Sequence, residues 1–328
     1  MPGIKQTGSN QPKYLQLIDS VINRLQNGEL RAGESLPSVN QLMRENKVSR
    51  DTVVKAYNEL KKRGVVDAIP NKGFFIREDS EKVFLFLDTF SAFKEGLYNA
   101  FRTELPETTD IEMLFHHYNF RVFESMISNS IGRYSKYVIM CYDEPAIASV
   151  LKKLPPEKVL ILDMKMHVPD LYSSVTQDFD VSFFNCLLEA EPRLRKYDEL
   201  FFVHPPGSMH PMISREAFGR FLLKSGISGK VLNQIRPSDI NARKAFVVVS
   251  DNDLATIIET SKMMNLEIGC DVGLISYNDT PLKKIIGEGI TVISTDFELM
   301  GKRAAMAVKA KGEFNEIIPT GFILRGSV

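Results

Sequence analysis

Two hydrophobic rhythms divide the chain. Up to about residue 76, apolar side chains recur every three or four positions, the spacing of half-buried helices; beyond residue 83 they come in short, nearly continuous runs separated by helical stretches. In the first region Leu17, Ile18, Val21, Ile22 and Leu25 put one apolar stripe on a helix over Tyr14–Asn27, stopped by Asn27-Gly28. Ala32-Gly33 marks a turn. Ser38, with Gln41 three residues later, forms a capping-box pattern for a short second helix that ends near Asn46-Lys47. Ser49 is the expected cap of a third helix. Val53, Ala56, Tyr57 and Leu60 form its inner face, Arg50, Asp51, Thr52 and Lys55 its outer one, and Gly64 ends it. VVDAI and GFFIR then flank a turn at Pro70-Asn71-Lys72-Gly73. Helix, helix, tight connection, helix, hairpin is the order of a winged helix-turn-helix, whose third helix enters the major groove with its N-terminal turn first.

Over residues 11–76 the chain resembles the DNA-binding domain of GntR-type regulators. The resemblance rests on GELRAGESLPS, VSRDTVVKAYNEL and the closing KGFFI. It implies phosphate or base contacts from Ser38 and Asn40 at the start of helix two, from Ser49, Arg50, Thr52 and Lys55 on helix three, and from Asn71, Lys72 and Gly73 in the wing. The chemistry suits those positions. An arginine can pair bidentately with a guanine edge or a phosphate. Helix N-termini present free N–H groups to phosphate oxygens, and a wing glycine lets backbone lie close to DNA. Val54 stands where some members carry a second arginine, so the contact set does not carry over whole. Asp51 suits the helix dipole as well as it suits a base.

The second rhythm gives VFLFL, IEMLF, YVIMCY, KVLILDM, FDVSFF, ELFFVH, AFVVVS, VGLISYND and ITVIST as strands, most of them followed by a helical stretch. Near-continuous apolar strands alternating with helices predict parallel sheets covered on both faces, and about 245 residues suffice for two such lobes. Ligands in these folds lie beyond the carboxyl ends of the strands. That rule points to Phe90-Ser91, Tyr118-Asn119, Asp143-Glu144, His204, Asp251-Asn252, Asn278-Asp279 and Asp296.

Residues 245–307 are similar to the effector domain of LacI/GalR-type repressors, itself a periplasmic-binding-protein fold. The likeness is carried by Asp251-Asn252 before Leu-Ala, by DVGLISYNDT, and by TDFELMGKRAA. Between residues 83 and 244 it lies mainly in the strand–helix rhythm. The resemblance implies a small effector, usually a sugar, between the lobes. Asp251 and Asn278 lead the candidates, with Phe90, Tyr118, Asp143, Arg215 and Asp296 behind them. Planar polar side chains can join neighbouring hydroxyls, and an aromatic ring can stack on a sugar face. Asp and Asn at strand ends also suit plain helix capping.

Charge sharpens the division. The chain has 41 Lys/Arg and 41 Asp/Glu, yet residues 1–78 hold 13 basic against 8 acidic side chains, a net +5 that leaves −5 for the rest. A basic head on an acidic body fits a nucleic-acid-binding module joined to another unit. We therefore expect an α/β chain with a DNA-binding domain over 1–78 and a two-lobed effector-binding and dimerisation domain over 79–328. The connection REDSEK is polar, without the apolar periodicity of a LacI-type hinge helix. Three cysteines with no C-x-x-C argue against a disulfide framework or zinc ribbon. Neither a membrane span nor a signal-peptide core is evident, so a cytoplasmic place is expected. The sequence contains no H-E-x-x-H, P-loop, G-x-S-x-G or G-x-G-x-x-G, and adjacent His116-His117 cannot share one helix face as metal ligands. The body is too short for the aminotransferase-like unit fused to some GntR-type heads. The expected function is ligand-responsive regulation of carbohydrate-utilisation genes, and the expected partners are operator DNA, a sugar or sugar-phosphate effector and a second copy of the chain, without cofactor, metal or membrane. A sugar-metabolising α/β enzyme carrying a DNA-binding head is the alternative.

Overall fold

The computed structural model describes residues 11–328 apart from 28, 32, 71, 78–81 and 166. The head comprises α1 (Lys13–Gln26), α2 (Val39–Asn46), α3 (Arg50–Lys62) and a hairpin of β1 (Val66–Ile69) and β2 (Gly73–Ile76). Its apolar stripes close on one core, in which Ile18, Val53, Leu60 and Val66 are fully buried. Tyr57 fixes the α2–α3 geometry by donating its hydroxyl to the Pro37 carbonyl at 2.6 Å. The expected capping box forms by half. Ser38 Oγ accepts from the Gln41 amide at 3.2 Å, but the Gln41 side chain turns to Glu45, 2.9 Å away.

The body holds two six-stranded sheets. Lobe one begins with β3 (Lys82–Leu87), α4 (Ala92–Glu104), β4 (Asp110–Phe115), α5 (Phe120–Ser130), β5 (Lys136–Met140), α6 (Ile147–Leu151), β6 (Val159–Asp163) and β7 (Ser173–Gln177). The chain then crosses into lobe two for α7 (Val181–Leu194), β8 (Glu199–Val203), α8 (Ile213–Ser225), β9 (Gly229–Leu232), β10 (Lys244–Val248), α9 (Asp251–Met263), β11 (Val272–Tyr277), α10 (Pro281–Ile285) and β12 (Thr291–Thr295). It returns to lobe one for α11 (Phe297–Lys309) and β13 (Asn315–Ile318), and crosses a third time into β14 (Thr320–Ile323). Lobe one is parallel throughout, in the order β13-β7-β6-β5-β3-β4. Lobe two runs β14-β12-β11-β10-β8-β9, with only β14 antiparallel.

The central strands β3, β5, β6, β8, β10, β11 and β12 are buried on both faces because helices cover both sides of each sheet. In lobe one, α4 and α11 lie against each other so closely that a Cβ on Gly301 would run into the Leu97 carbonyl oxygen. One expectation fails at the first crossing. FDVSFF has strand composition, yet Val181–Phe184 opens α7. The cause is Asp178, whose carboxylate accepts from the amides of Asp180 (2.9 Å), Val181 (3.2 Å) and Ser182 (2.7 Å) and so satisfies the helix start.

Candidate functional site

Two surfaces carry chemistry, one on the head and one between the lobes. On the head, Ser49 caps α3 by accepting from the Thr52 amide at 3.3 Å, and its hydroxyl meets that of Thr52 at 2.8 Å. Lys47 takes a left-handed conformation at the C-cap of α2, which turns the chain sharply into α3. Arg50, Lys55, Asn40 and Ser38 are exposed on one side, with Thr52 half-buried beside them. Lys55 Nζ lies 4.0 Å from the Tyr14 ring centroid, which steadies that cation on the surface. At the wing, Gly73 has φ +101° and open space where a Cβ would stand, and Lys72 beside it is exposed. Asn71 lies outside the described residues.

Between the lobes a cavity of about 410 Å³ lies beyond the carboxyl ends of both sheets. Lobe one supplies Asp88, Lys94, Tyr118, Asp163 and Gln177. Asp88 and Lys94 form a buried ion pair. The Tyr118 hydroxyl donates to Asp88 at 2.5 Å, and the Thr89 amide does so at 2.6 Å. Burial alone would push the Asp88 carboxyl up; the Lys94 ammonium and these hydrogen bonds outweigh it and hold the group below the usual carboxylate range. Asp163 behaves oppositely. Burial, reinforced by the Asp88 charge, pushes its carboxyl up to about 6, against an opposing hydrogen bond from Gln177. Gln177 is itself oriented by Thr295, whose hydroxyl donates to it at 2.8 Å.

Lobe two faces this network with His210, Tyr277 and Asn278. The Ser214 hydroxyl gives its proton to the Phe179 carbonyl at 2.9 Å, so at 2.8 Å it must accept from His210 Nε2–H. His210 Nδ1 therefore carries a lone pair, and burial pushes the ring down to about 3, keeping it neutral. Asn278 Oδ1 is buried without a hydrogen-bond partner. Tyr118, Asp163 and Asn278 all adopt left-handed backbone conformations, with φ of +56°, +72° and +60°. Non-glycine residues hold such angles where the surroundings over-determine them, a habit of ligand sites. The cleft thus offers acceptors from both sides, and Lys94, the lysine among its described lining residues, is already paired.

Residues 13–76 match the family described as bacterial regulatory proteins, gntR family, and residues 211–328 match the periplasmic binding protein-like domain. The chain joins a GntR-type head to a periplasmic-binding-protein-like body. Among curated relatives, the head is similar to the HTH-type transcriptional regulator YhcF of Bacillus subtilis, 37% identical over 78 residues, which are 24% of this chain and 64% of YhcF. The chain thus spans less than two thirds of the length of that relative. Among solved structures, a complex of the transcriptional regulator CelR with cellobiose superposes with a TM-score of 0.63 at 15% identity, over 89% of this chain and 95% of CelR. A dimeric Lac repressor with an 11-residue C-terminal deletion gives 0.63 at 14% identity, over 75% and 98%. At such identities the likeness establishes the fold of the periplasmic-binding-protein-like body.

Of the effector candidates read from the sequence, the body brings Tyr118 and Asn278 to the cleft. The others lie off its wall. Asp251 pairs with Lys283 at 2.9 Å, and that lysine also donates to the Tyr277 and Asn278 carbonyls at 3.0 and 2.9 Å. Asp296 caps α11 through the Leu299 amide, 2.8 Å away. Asp143 meets His167 at 2.6 Å, Arg215 reaches Asn233 at 3.3 Å, and exposed Phe90 packs edge-on against Phe115. Asp88, Lys94, Asp163, Gln177 and His210 were not singled out. The strand-end rule reaches Asp163, the last polar residue of KVLILDM, and Asp88 directly after β3. His210 sits in a long loop after β8, where no periodicity marks it. Among the described residues no His, Cys, Asp and Glu group is placed to hold a metal ion, and no helix is long and apolar enough to cross a membrane. The three cysteines are free.

Proposed function

We propose that the chain is a ligand-responsive transcriptional regulator of carbohydrate-utilisation genes. In this reading the winged head, residues 1–78, binds operator DNA. The body, residues 79–328, dimerises and holds a sugar between its lobes. The observation that carries it is the presence on one chain of an exposed recognition-helix face and an interlobe cleft with unfilled acceptors. Hydroxyl groups are the natural donors for Asn278 Oδ1, His210 Nδ1 and Asp163. The cleft favours an uncharged sugar over a sugar phosphate, since Lys94 is already paired with Asp88 and leaves a phosphate no free cation among the lining residues. Cellobiose in the CelR complex supports the class of ligand, and the dimeric Lac repressor supports a two-headed assembly on a near-palindromic site. We place the protein in the cytoplasm, with no catalytic role for the cleft.

The test uses the full chain. DNA duplexes are selected from a random pool on the protein, and Arg50→Ala should weaken binding of the selected duplex by about 1–3 kcal/mol without unfolding. Neutral sugars and their phosphates are then screened by thermal shift. A ligand at 100 times its Kd should stabilise by about 2.7 kcal/mol. Conversion of a bound sugar to product would move the assignment to an enzyme with a DNA-binding head.

A further inference from the structure

The cleft and the head lie at opposite ends of one helix. Tyr118, whose hydroxyl is anchored on Asp88 at the cleft wall, is followed by Asn119, whose side chain caps α5 by accepting from the Val122 amide at 3.2 Å. The eleven residues of α5, about 16 Å along the axis, end at Ser130, with Ile131 as the C-cap. Ile131 packs against two hydrophobic cores at once, that of the head and that of lobe one. Beside it, Gly132 (φ +78°) brings its backbone so close that a Cβ there would stand 3.6 Å from Val65 Cγ2 in the head.

Both ends of this helix are fixed by specific contacts. At the cleft end, buried His116 donates from Nε2 to the Met140 carbonyl at 3.1 Å and accepts the Tyr118 amide on Nδ1 at 3.2 Å. That pairing requires a neutral ring of one tautomer and holds His117 and Tyr118 in consecutive left-handed conformations. At the head end, the Tyr137 hydroxyl donates to the Ser130 carbonyl at 2.8 Å and accepts from the Gly132 amide at 3.1 Å. Ser135 meets the Lys82 carbonyl at the same corner, through its amide at 2.9 Å and its hydroxyl at 3.0 Å, where the chain enters lobe one from the head. Between the ends, Phe123 and Ile127 are fully buried against the sheet, with Phe123 stacked on Phe86. A helix seated this way moves as a rod.

Resting on the reading of the cleft as an effector site, we propose that α5 is the coupling element: it links the Tyr118–Asp88 contact at the cleft to the Ile131–Val65 seam that seats the winged head. In this proposal the seam carries the signal. Coupling of this kind is reciprocal, so a change at either end must be felt at the other.

A double-mutant cycle on the full chain tests this, read as Kd for a duplex selected from random DNA. Tyr118→Phe should change that Kd threefold or more, and the change should vanish in an Ile131→Ala background. Met126→Ala, on the exposed side of α5, should leave the Tyr118→Phe effect intact. Independent effects of Tyr118→Phe and Ile131→Ala overturn the proposal while leaving the regulator reading standing. If no duplex can be selected, that reading fails instead, and amide exchange still tests the link. Tyr118→Phe should speed exchange at residues 63–66 and 130–133 and leave β10 unchanged; unaltered exchange at the seam overturns it. Should Ile131→Ala fail to fold by circular dichroism, Ile131→Val replaces it in the cycle with the same expected loss of coupling.

Discussion

The two lobes share a fold and face each other across one cleft, yet they meet it in different states. Lobe one presents a largely paired network in which Asp88 answers Lys94, Tyr118 and Thr89, and Gln177 joins Asp163 to Thr295 of lobe two. Lobe two presents open valences. Asn278 Oδ1 has no partner, and His210 Nδ1 is left as a lone pair once its other nitrogen is spoken for. A satisfied buried network stiffens the wall that carries it, whereas an unsatisfied acceptor costs free energy until a donor arrives. In the proposed reading the contrast divides labour: lobe one holds shape and charge and adds Asp163 as an acceptor, and lobe two offers the acceptors that have no partner in the protein.

The sharpest way to break that contrast is Lys94→Ala. It leaves the Asp88 carboxylate buried without its cation, and we expect a loss of roughly 3–5 kcal/mol in urea unfolding. A loss below about 1 kcal/mol would mean that lobe one does not depend on its network. Next comes Asp163. Its folded carboxyl is raised to about 6 from an ordinary 3.8, so it favours the folded state most at low pH. That contribution is complete below pH 4 and is lost as pH rises through 6. Asp163→Asn should therefore flatten this part of the stability profile and make the variant about 2 kcal/mol more stable relative to wild type at pH 7 than at pH 4. A parallel pair of profiles would place the charge elsewhere. Asn278→Ala should lower the affinity of whichever sugar emerges from the thermal-shift screen by about 1–2 kcal/mol in calorimetry. The same variant should change unfolding stability by no more than about 1–2 kcal/mol, because removing the unpaired buried Oδ1 offsets the cost of alanine at the left-handed φ of +60°. If it unfolds the protein as Lys94→Ala does, the two walls are alike after all.

The head was legible because its instructions are local. Ser38, Ser49 and the stripe Val53–Ala56–Tyr57–Leu60 act within a few residues of themselves, and the structure uses them as the periodicity implies. The body was legible only where strands are apolar on both faces. Ser173–Gln177, with the sequence SSVTQ, forms β7 without a hydrophobic run, and its place in the sheet comes from neighbours β6 and β13 on either side. At the cleft, Tyr118 and Asn278 were reachable because strand ends are where ligands meet such sheets. Asp251 is held by a partner that no local pattern announces: Lys283, distant by 32 positions in the chain, pairs with it and also donates to the Asn278 carbonyl. His210 depends on Ser214 and Phe179 for its orientation, an arrangement that no local pattern encodes.

The three crossings between lobes set an order of events during synthesis. The head is complete once residue 76 has left the ribosome, but the sheet of lobe one lacks its edge strand β13 until Ile318 has emerged. At about 5–20 residues per second, that interval is roughly ten to fifty seconds. A growing chain therefore displays a finished winged head before the body that follows it is complete. The late strand β13 ends that interval, shortly after α11 has emerged to lock onto α4 at Gly301.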